Sequence, residues 1–564
     1  MIDKYFYYSF KMKDESFLKT IITESHNAHV FSEIADELVK VDMEIENIKQ
    51  IMYYEVRNEL PDNDIMRAIL EPSYHDLSED LKNCFLYCSL FPEDYKFSCE
   101  SLVRMWVAEG FVLSRGNHTP EEVAEGNLME LIDCNLLLAM QNDEQGRVVA
   151  CKMHGILRDL AHAVAKKEKF HFTNDYYSMT RMKRDTVRHL SLCRWYDERI
   201  IKFRFPHLRT LVSLETVSSS TAMLSSTLSE SIYLTVLELQ DSEVTEVPES
   251  LGILFNLRYI GLRRTKVKSL PDSIVKLSNL QTLDIKETKI QNLPRRMGNV
   301  KKLRHLFADR YVDNQSSESP YIFGVQPPKD LLSLEYLETL ETVQSTSDLP
   351  DQLKKLWRLR NVWIDNINTA DCETLFATLS NLPLLSSLLL CARDGNEELR
   401  ITKLKRVKLR RLITIGQWAP GTLGCWAFSI GRYLNHLAIS WCYLGRDSLN
   451  MLAREVPCLT YLKLSNVYGA EILDVTKGSF PELKTLVLEY MDDVDNLVLR
   501  YGALPMIEAL YIMSLTKLDK VPHGLESLAH LKKLWLLNLH TNFSAQWHKN
   551  GMHNKMQHVT EIRI

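Results

Sequence analysis

Cysteine and histidine are the residue types in this chain that most often bind metals or act as nucleophiles. The sequence contains 11 Cys and 17 His. No two cysteines form the C-x-x-C pair that zinc sites commonly use, and no Ser/His/Asp order or carboxylate pair indicates an active site. We therefore expect no enzyme and no bound metal. The odd number of cysteines, without an apolar signal-type segment, predicts reduced thiols and a cytoplasmic protein.

The sequence offers one candidate residue for phosphate binding but no phosphate-binding loop. A loop of the type G-x-x-x-x-G-K-[ST] cradles phosphates with its backbone N–H groups, and no such string occurs among the 564 residues. The triplet Met153-His154-Gly155 does contain an imidazole that can hydrogen-bond a phosphate. The alternative is that His154 is an ordinary histidine at the start of a helix. We expect no cofactor in this chain.

A 23-residue repeat predicts the strands that carry the candidate partner-binding residues. Leu234, Leu257, Leu280 and Leu303 recur at this step, and each begins L-x-x-L-x-L or a close variant. Such a unit is a short strand with inward leucines that is stable only when parallel neighbours share its core. A helical bundle would not place a proline in each unit. Steps of 21 to 31 residues predict 16 strands, beginning at Val187, Leu208, Leu234, Leu257, Leu280, Leu303, Leu334, Leu359, Leu385, Leu409, Leu434, Leu459, Leu483, Ile507, Leu531 and Val559.

The fifth position of each unit is expected to face solvent on the concave side of the sheet. Early repeats place polar or small residues there, namely Glu238, Gly261, Asp284 and Glu338. Later repeats place mostly apolar or aromatic residues there, namely Trp363, Leu389, Ile413, Ala438, Lys463, Val487, Tyr511 and Trp535, and Tyr461 stands at a third position. We predict that Trp363, Tyr461, Tyr511 and Trp535 contact a protein partner. The alternative is that they pack against a flanking segment of this chain.

The early repeats also carry a cluster of basic residues, Arg258, Arg263, Arg264, Lys266 and Lys268. This cluster could contact an acidic partner or the front domain of the chain, or it could form a solvated face. The net charge of the whole chain is −5, which argues against nucleic acid as a partner. No run of 18 apolar residues predicts a membrane span.

The segment in front of the repeats has the pattern of a winged helix. Helices are predicted within 77–91, within 98–111 and from Thr119 onward, and a hairpin is predicted around the turn NDEQG. Ser98 and Gly110 are the expected caps of the second helix. That helix carries a single basic residue, Arg104, so we interpret the domain as an internal packing module and not as a reader of DNA.

Several long motifs in this segment resemble the winged-helix part of plant NB-ARC leucine-rich-repeat disease-resistance proteins of the coiled-coil type. They are LKNCFLYCSLFPEDY, LVRMWVAEGFV, EEVAEGNLMELIDCNLL and CKMHGILRDLAHAVAKK. The resemblance covers roughly residues 50–564. It implies that full-length relatives bind ADP or ATP, and that His154 belongs to a Met-His-Asp triplet that senses the diphosphate. Gly155 stands at the position of the acidic member in this sequence.

These observations predict a multidomain α+β chain. Residues 1–50 are expected to form a helical coiled-coil-like remnant, with a heptad seam at 31–48 that could also be a short core helix. Residues 51–170 are expected to form the NB-ARC C-terminal region with its winged helix, and 171–564 the α/β leucine-rich-repeat solenoid. The remnant is joined to the later region near residue 50, through either a skipped exon or a truncated paralogue.

Three functions are consistent with this organisation. The first is a plant innate-immune receptor-like protein that recognises a pathogen effector or a guarded host protein through the repeats. The second is a non-signalling decoy or regulator of full-length receptors. The third is an F-box-like adaptor with leucine-rich repeats, against which the winged-helix motifs argue.

Overall fold

The computed structural model describes residues 74–143, 146–168, 170, 172–173, 187–192, 204–214, 221–310, 323–401, 404, 407–423 and 431–564. The chain divides into two compact units. The first comprises 1–143 and 147–193, and the second comprises 194–564 together with the short segment 144–146. The division at 193 lies beyond the domain limit expected at 170. The predicted remnant at 1–50 and its heptad seam lie outside the described residues.

The first unit contains the elements of a winged helix. Its helices are α1 (Glu79–Cys88), α2 (Cys99–Glu109), α3 (Pro120–Asp133) and α4 (Gly155–Lys167). Its antiparallel sheet has the order β1-β3-β2, formed by β1 (Phe97–Ser98), β2 (Leu138–Asn142) and β3 (Val148–Lys152). The predicted helices and hairpin are therefore confirmed, whereas the two-residue strand β1 is not foreseen by any periodic pattern.

Capping residues explain where these helices begin and end. The Ser98 hydroxyl accepts a hydrogen bond from the Ser101 N–H at the start of α2, and Gly110 ends that helix in the left-handed conformation. Thr119 and Glu122 form a reciprocal capping box at the start of α3. Each cap satisfies a backbone group that the helix itself leaves unpaired.

Helix α2 belongs to the core of the first unit. Eight of its residues are buried, including Trp106, and Arg104 pairs with Glu100 of the same helix at 3.0 Å. A helix that reads DNA must present its side chains to a groove. The burial of α2 supports the interpretation that this winged helix is a packing module.

The first unit also contains the parallel strands β4 (Phe172–Thr173) and β5 (His189–Ser191). β5 lies in the segment predicted as the first repeat strand. Its His189 ring is buried and stacks on Phe170, with the ring centroids 4.5 Å apart. This contact anchors the strand within the first unit.

The second unit is a succession of parallel strands separated by short helices. The strands of the main sheet are β6 (Thr210–Val212), β7 (Val236–Glu238), β8 (Tyr259–Gly261), β9 (Thr282–Asp284), β10 (His305–Phe307), β11 (Thr339–Gln344), β12 (Asn361–Ile367), β13 (Ser387–Ala392), β15 (Arg411–Ile415), β17 (His436–Ser440), β18 (Tyr461–Ser465), β20 (Thr485–Glu489), β22 (Ala509–Met513), β23 (Lys533–Leu537) and β24 (Glu561–Arg563). With β5 these are 16 strands, one for each predicted repeat start. The predicted solenoid is therefore confirmed.

Each repeat buries its leucines and turns back through a short helix. Leu234, Leu257 and Leu280 are fully buried, as expected for inward positions of stacked strands. Within the described residues, 3-10 helices occupy Glu249–Ile253, Asp272–Lys276, Met297–Asn299, Leu331–Ser333 and Leu525–Ser527. The α-helices of this unit are α5 (Thr221–Glu230), α6 (Leu349–Leu353), α7 (Cys372–Leu379), α8 (Ser448–Glu455), α9 (Phe543–Lys549) and α10 (Met552–Lys555).

Two further pairs of short parallel strands complete the second unit. One consists of β14 (Glu398–Leu399) and β16 (Gln417–Trp418), and the other of β19 (Ile472–Val475) and β21 (Asn496–Leu499). None of the helices in the described ranges is long and apolar enough to cross a membrane.

The repeat predicted to start at Leu334 is displaced by three residues. The strand register pairs Leu306 with Leu340, so the unit begins at Leu337 and its fifth position is Glu341. Leu334 instead closes the preceding 3-10 helix. The assignment of Glu338 to the fifth position is therefore wrong, and Glu338 stands at the second position.

Candidate functional site

The fifth positions of the repeats form one continuous row across the main sheet, which we call the position-5 row. Strand register places them side by side as Trp363, Leu389, Ile413, Ala438, Lys463, Val487, Tyr511, Trp535 and Arg563. The predicted alignment from Trp363 to Trp535 is confirmed, but the exposure expected of the fifth position is wrong for Leu389, Ala438 and Val487, which are buried. Alternation along each strand directs this row away from the leucine core.

Trp363 begins the apolar part of the row. Its ring is half-buried and packs, with Ile413 and Trp441, against a cluster formed by Leu389, Cys391 and Ile415. The Lys286 ammonium lies 4.4 Å from the centroid of the Trp363 ring and 3.2 Å from a carboxylate oxygen of Glu341. A cation over an aromatic face is an attractive contact. Trp363 is therefore fixed between an apolar cluster and a buried charge.

Tyr511 and Trp535 form an aromatic pair on the neighbouring strands β22 and β23. Their ring centroids are 5.0 Å apart and the rings meet at 79°, the edge-to-face arrangement that aromatic pairs prefer. The Trp535 Nε1–H donates to Glu561 at 3.1 Å, and the Arg563 guanidinium lies 4.2 Å from the ring centroid. Both rings are half-buried, so part of each reaches solvent.

Tyr461 does not have the exposure expected for a partner contact. Only 5% of it is exposed, because its ring stacks on His436 of the adjacent strand with centroids 4.3 Å apart. Strands in a sheet lie about 4.8 Å apart, so large side chains at one position of successive repeats cover one another. The prediction that Tyr461 is exposed is wrong.

In the early part of the row, the carboxyl groups are buried and have hydrogen-bond partners within the repeats. Asp284 is only 4% exposed and accepts from Arg263 Nε and Nη2 at 3.1 and 3.0 Å, so its predicted exposure is wrong. Glu238 is 3% exposed and accepts from the Tyr259 hydroxyl at 2.9 Å. Burial raises the pKa of Glu238 to about 7. Gly261 leaves room for this carboxylate, since a Cβ at that position would lie 2.3 Å from a Glu238 oxygen and the Glu238 side chain would have to move.

Several members of the predicted basic cluster have acidic partners within the repeats. Arg263 bonds Asp284, Arg264 bonds Asp241 at 2.5 Å, and Lys266 bonds Glu243. These ion pairs link consecutive repeats. The interpretation as a solvated, internally compensated face is therefore favoured over a free basic site for an acidic partner.

A set of exposed tyrosines, which the repeat pattern did not predict, lies in the loops that follow β17, β18 and β20. Tyr443, Tyr468 and Tyr490 are each about half exposed, and we call them the tyrosine edge. The Gln417 side-chain oxygen accepts from the Tyr468 hydroxyl at 2.9 Å and from the Tyr443 N–H at 3.0 Å. They stand eight or ten positions into their repeats, beyond the six-residue strand frame, and extending that frame would have found them.

His154 lies in the first unit, directly before α4. The residue is half-buried, and its backbone carbonyl accepts from the Arg158 N–H at 2.9 Å as the helix begins. This is the geometry expected of a helix-start histidine. Arg158 in turn donates to the Phe91 carbonyl at 3.0 Å. A contact of His154 with a nucleotide remains a prediction from the family resemblance.

Comparison with known proteins identifies both parts of the described chain. A family model for a leucine-rich repeat region matches 207–563, and one for the winged-helix domain of disease resistance proteins matches 90–161. Disease resistance protein RPM1 of Arabidopsis thaliana is 31% identical over 510 residues, covering 88% of this chain and 54% of that protein. A disease resistance RPP8-like protein of the same plant is 24% identical over 555 residues, covering 90% of this chain and 55% of its own length.

The chain thus spans about half the length of the curated relatives that it matches. The repeat match covers more than half of the chain, and the winged-helix match lies immediately in front of it. The order of the two matches is the order of the motifs in the sequence. The chain belongs to the family of plant disease-resistance proteins that combine a winged helix with a leucine-rich-repeat region.

Proposed function

We propose that this chain is an immune receptor-like protein of the plant cytoplasm, and that its later repeats recognise a pathogen effector or a guarded host protein. The observation that carries the proposal is the Tyr511–Trp535 pair on the open face of the main sheet. Aromatic side chains that present part of their rings at a surface are the usual anchors of protein interfaces. Family membership supports the immune context and a non-catalytic role.

The contrast along the position-5 row supports this location. In the early repeats, Glu238 and Asp284 bond neighbouring side chains of the same sheet. In the later repeats, the row has apolar side chains that remain partly exposed, namely Trp363, Ile413, Tyr511 and Trp535, whereas Leu389, Ala438 and Val487 are buried. Desolvating apolar surface favours association, whereas charges that are already paired contribute little. The later half of the row is therefore the better candidate for the contact.

Binding by the intact chain tests the proposal. We would measure its affinity for a panel of secreted pathogen effectors and candidate host proteins, and then compare the Tyr511→Ala/Trp535→Ala double variant against any protein that binds. Removing two aromatic anchors is expected to lower affinity at least tenfold, because each anchor contributes about 2 kcal/mol or more.

A matched control is available in a second aromatic pair outside the row. Tyr336 and Trp357 are both about half exposed, and the Arg358 guanidinium lies against both rings. The Tyr336→Ala/Trp357→Ala variant should retain the affinity of the unsubstituted chain. If the Tyr511/Trp535 variant melts at a lower temperature yet binds its partner normally, those rings are structural and the recognition surface lies elsewhere.

A further inference from the structure

Two arginines at the start of β15 differ from the other cations of the main sheet. Arg410 is exposed and Arg411 is partly buried, and the ion pairs among the described residues include neither of them. The Nε atom of Arg411 is buried and has no hydrogen-bond partner among those residues. The strand register places Ser387 on one side of Arg411 and His436 on the other, and neither side chain carries a negative charge. Both guanidinium groups are therefore available to the acidic groups of a partner.

Cations at the second position of other repeats have acidic neighbours. The ion pairs at this position are Arg304–Glu338, Arg360–Glu338, Lys484–Glu508 and Lys532–Glu508, with nitrogen–oxygen distances of 2.9, 4.0, 3.6 and 2.8 Å. Arg410 also stands at a second position, but its backbone bonds Ser386 and Asn435 of the adjacent repeats, whose side chains are neutral. The sheet thus leaves positive charge without a counter-charge at β15.

An apolar surface lies on the same face of the sheet, beside Arg411. Arg411 and Ile413 are two residues apart in β15, so their side chains point to the same face. Ile413, Trp363 and Trp441 are each partly exposed and pack against one buried apolar cluster. A partner that covers these three side chains removes apolar area from water, which favours association. We call the two arginines and these three side chains the arginine–tryptophan patch.

We propose that the arginine–tryptophan patch binds a protein segment in which carboxylates flank a large apolar side chain. A guanidinium group holds a carboxylate through two parallel hydrogen bonds, and such charge-assisted bonds are stronger beside apolar surface than in water. A basic or neutral segment would leave both guanidinium groups without acceptors. This inference rests on the proposed function, because Trp363 and Ile413 belong to the position-5 row, and it specifies the chemistry of the partner.

Two lysines near the patch do not compete for the carboxylates of the partner. Lys463 lies in the position-5 row and pairs with Glu489 at 2.6 Å. Lys286 lies against the Trp363 ring and pairs with Glu341 at 3.2 Å. Each lysine already has a carboxylate, so the acidic groups of the segment are directed to the arginines of β15.

A designed peptide tests this chemistry on the intact chain. The probe is fluorescein-labelled GEWEWEG, and its binding is followed by fluorescence polarisation. The reference peptides are GKWKWKG, in which the charge is reversed, and GESESEG, which lacks the rings. The chain has a net charge of −5, which favours the basic peptide, so a preference for the acidic one must come from a local site. We expect GEWEWEG to bind about tenfold or more tightly than either reference, and to bind more weakly as the NaCl concentration rises. Equal affinity for GEWEWEG and either reference would overturn the proposal.

Matched double variants assign the binding to the patch. Arg410→Gln/Arg411→Gln should lower the affinity for GEWEWEG about tenfold or more. Lys484→Gln/Lys532→Gln removes the same charge from the same sheet and should leave the affinity unchanged. If the arginine variant melts at a lower temperature, Arg410→Lys/Arg411→Lys keeps both charges and should bind more tightly than the glutamine variant. Equal losses in the two glutamine variants would overturn the proposal, because bulk charge would then explain the binding.

This inference and the proposed function can fail separately. If GEWEWEG binds through Arg410 and Arg411 but no effector or host protein depends on Tyr511 and Trp535, the proposed function fails and the chemistry of the patch stands. If a partner depends on Tyr511 and Trp535 but binds Arg410→Gln/Arg411→Gln with full affinity, the proposed function stands and this inference is overturned.

Discussion

Asp284 and Glu238 occupy the same repeat position two strands apart, and each has a hydrogen-bond partner on a neighbouring repeat. Arg263 donates to Asp284, and Tyr259 donates to Glu238. Their carboxylates therefore belong to the interior of the stacked sheet, although the alternation of the strand places them opposite the leucines. At this scale the stability of the solenoid depends on pairing between repeats as well as on apolar burial.

Exchanging the polarity of two adjacent residues in β9 tests this account. Leu283→Asp should lower the free energy of unfolding by several kcal/mol, because it puts an unpaired carboxylate in a fully buried site. Asp284→Leu should lower it by about 1–3 kcal/mol, because Arg263 loses its acceptor. Chemical denaturation of both variants measures the difference.

The exposed Lys268 provides the control for this pair. Lys268→Ala in the adjacent repeat is expected to change the free energy of unfolding by less than about 0.5 kcal/mol. A neutral effect of Asp284→Leu would show that the ion pair with Arg263 contributes nothing. An effect of Leu283→Asp as small as that of Lys268→Ala would place the strand frame one residue out of register.

Glu238 makes the stability of the repeats depend on pH. Burial raises its pKa from 4.5 to about 7, so the folded protein holds the Glu238 proton more tightly than the unfolded chain does. The stabilisation is complete below pH 4.5 and is lost as pH rises towards 7, by about 1–3 kcal/mol. Glu238→Gln should flatten this part of the profile. Urea denaturation between pH 5 and 8 measures how the free energy of unfolding changes with pH in the unsubstituted chain and in Glu238→Gln. The same pH dependence in both would exclude Glu238 as its source.

At the scale of the element, the turn after each strand imposes an unusual backbone conformation. The eighth position is left-handed, with φ between 51° and 60°, at Asp241, Arg264, Glu287, Asn366, Trp441, Asn466, Tyr490, Ser514 and Asn538. Asparagine and aspartate adopt this conformation at less cost than large side chains do. Because many repeats share it, it is a property of the turn and not of one site.

Tyr490 is a large residue that adopts this left-handed conformation although its side chain is 55% exposed. Tyr490→Asn should raise the free energy of unfolding by about 0.5–1 kcal/mol, because asparagine tolerates the left-handed region better. Thermal melts of the variant measure the gain. Tyr468→Asn, at a tenth position, is the control and should bring no such gain. A lower melting temperature for Tyr490→Asn would mean that packing of the ring outweighs the backbone strain.

The leucine period predicts the positions of most repeat strands. It does not predict which side chains on those strands are buried by their neighbours. A period of 23 residues with buried leucines fixes strand positions, but Leu334, Leu337 and Leu340 are themselves spaced by three, so periodicity alone accepts two frames. Strand pairing selects the frame that begins at Leu337. The burial of Tyr461 depends on His436 of the preceding strand, which the local pattern does not reveal.

At the scale of the whole molecule, each compact unit contributes a different kind of chemistry. The first unit holds His154 and the buried cysteines Cys84, Cys88, Cys99 and Cys151, and its core is built on α2 and its neighbours. The second unit holds the position-5 row, whose later part we propose as a surface for association, and the exposed tyrosine edge. Along the chain, the match to the winged-helix domain of disease resistance proteins precedes the match to the leucine-rich repeat region.

Nucleotide binding is a property of the whole 564-residue chain. We expect neither ATP nor ADP to bind with micromolar affinity, because no G-x-x-x-x-G-K-[ST] loop is present to surround the phosphates and the single imidazole of His154 cannot replace it. Isothermal titration with each nucleotide and magnesium measures this directly. A relative that contains the loop, titrated under the same conditions, serves as the positive control. Micromolar binding that His154→Ala abolishes would contradict the expectation and assign His154 to a working phosphate site.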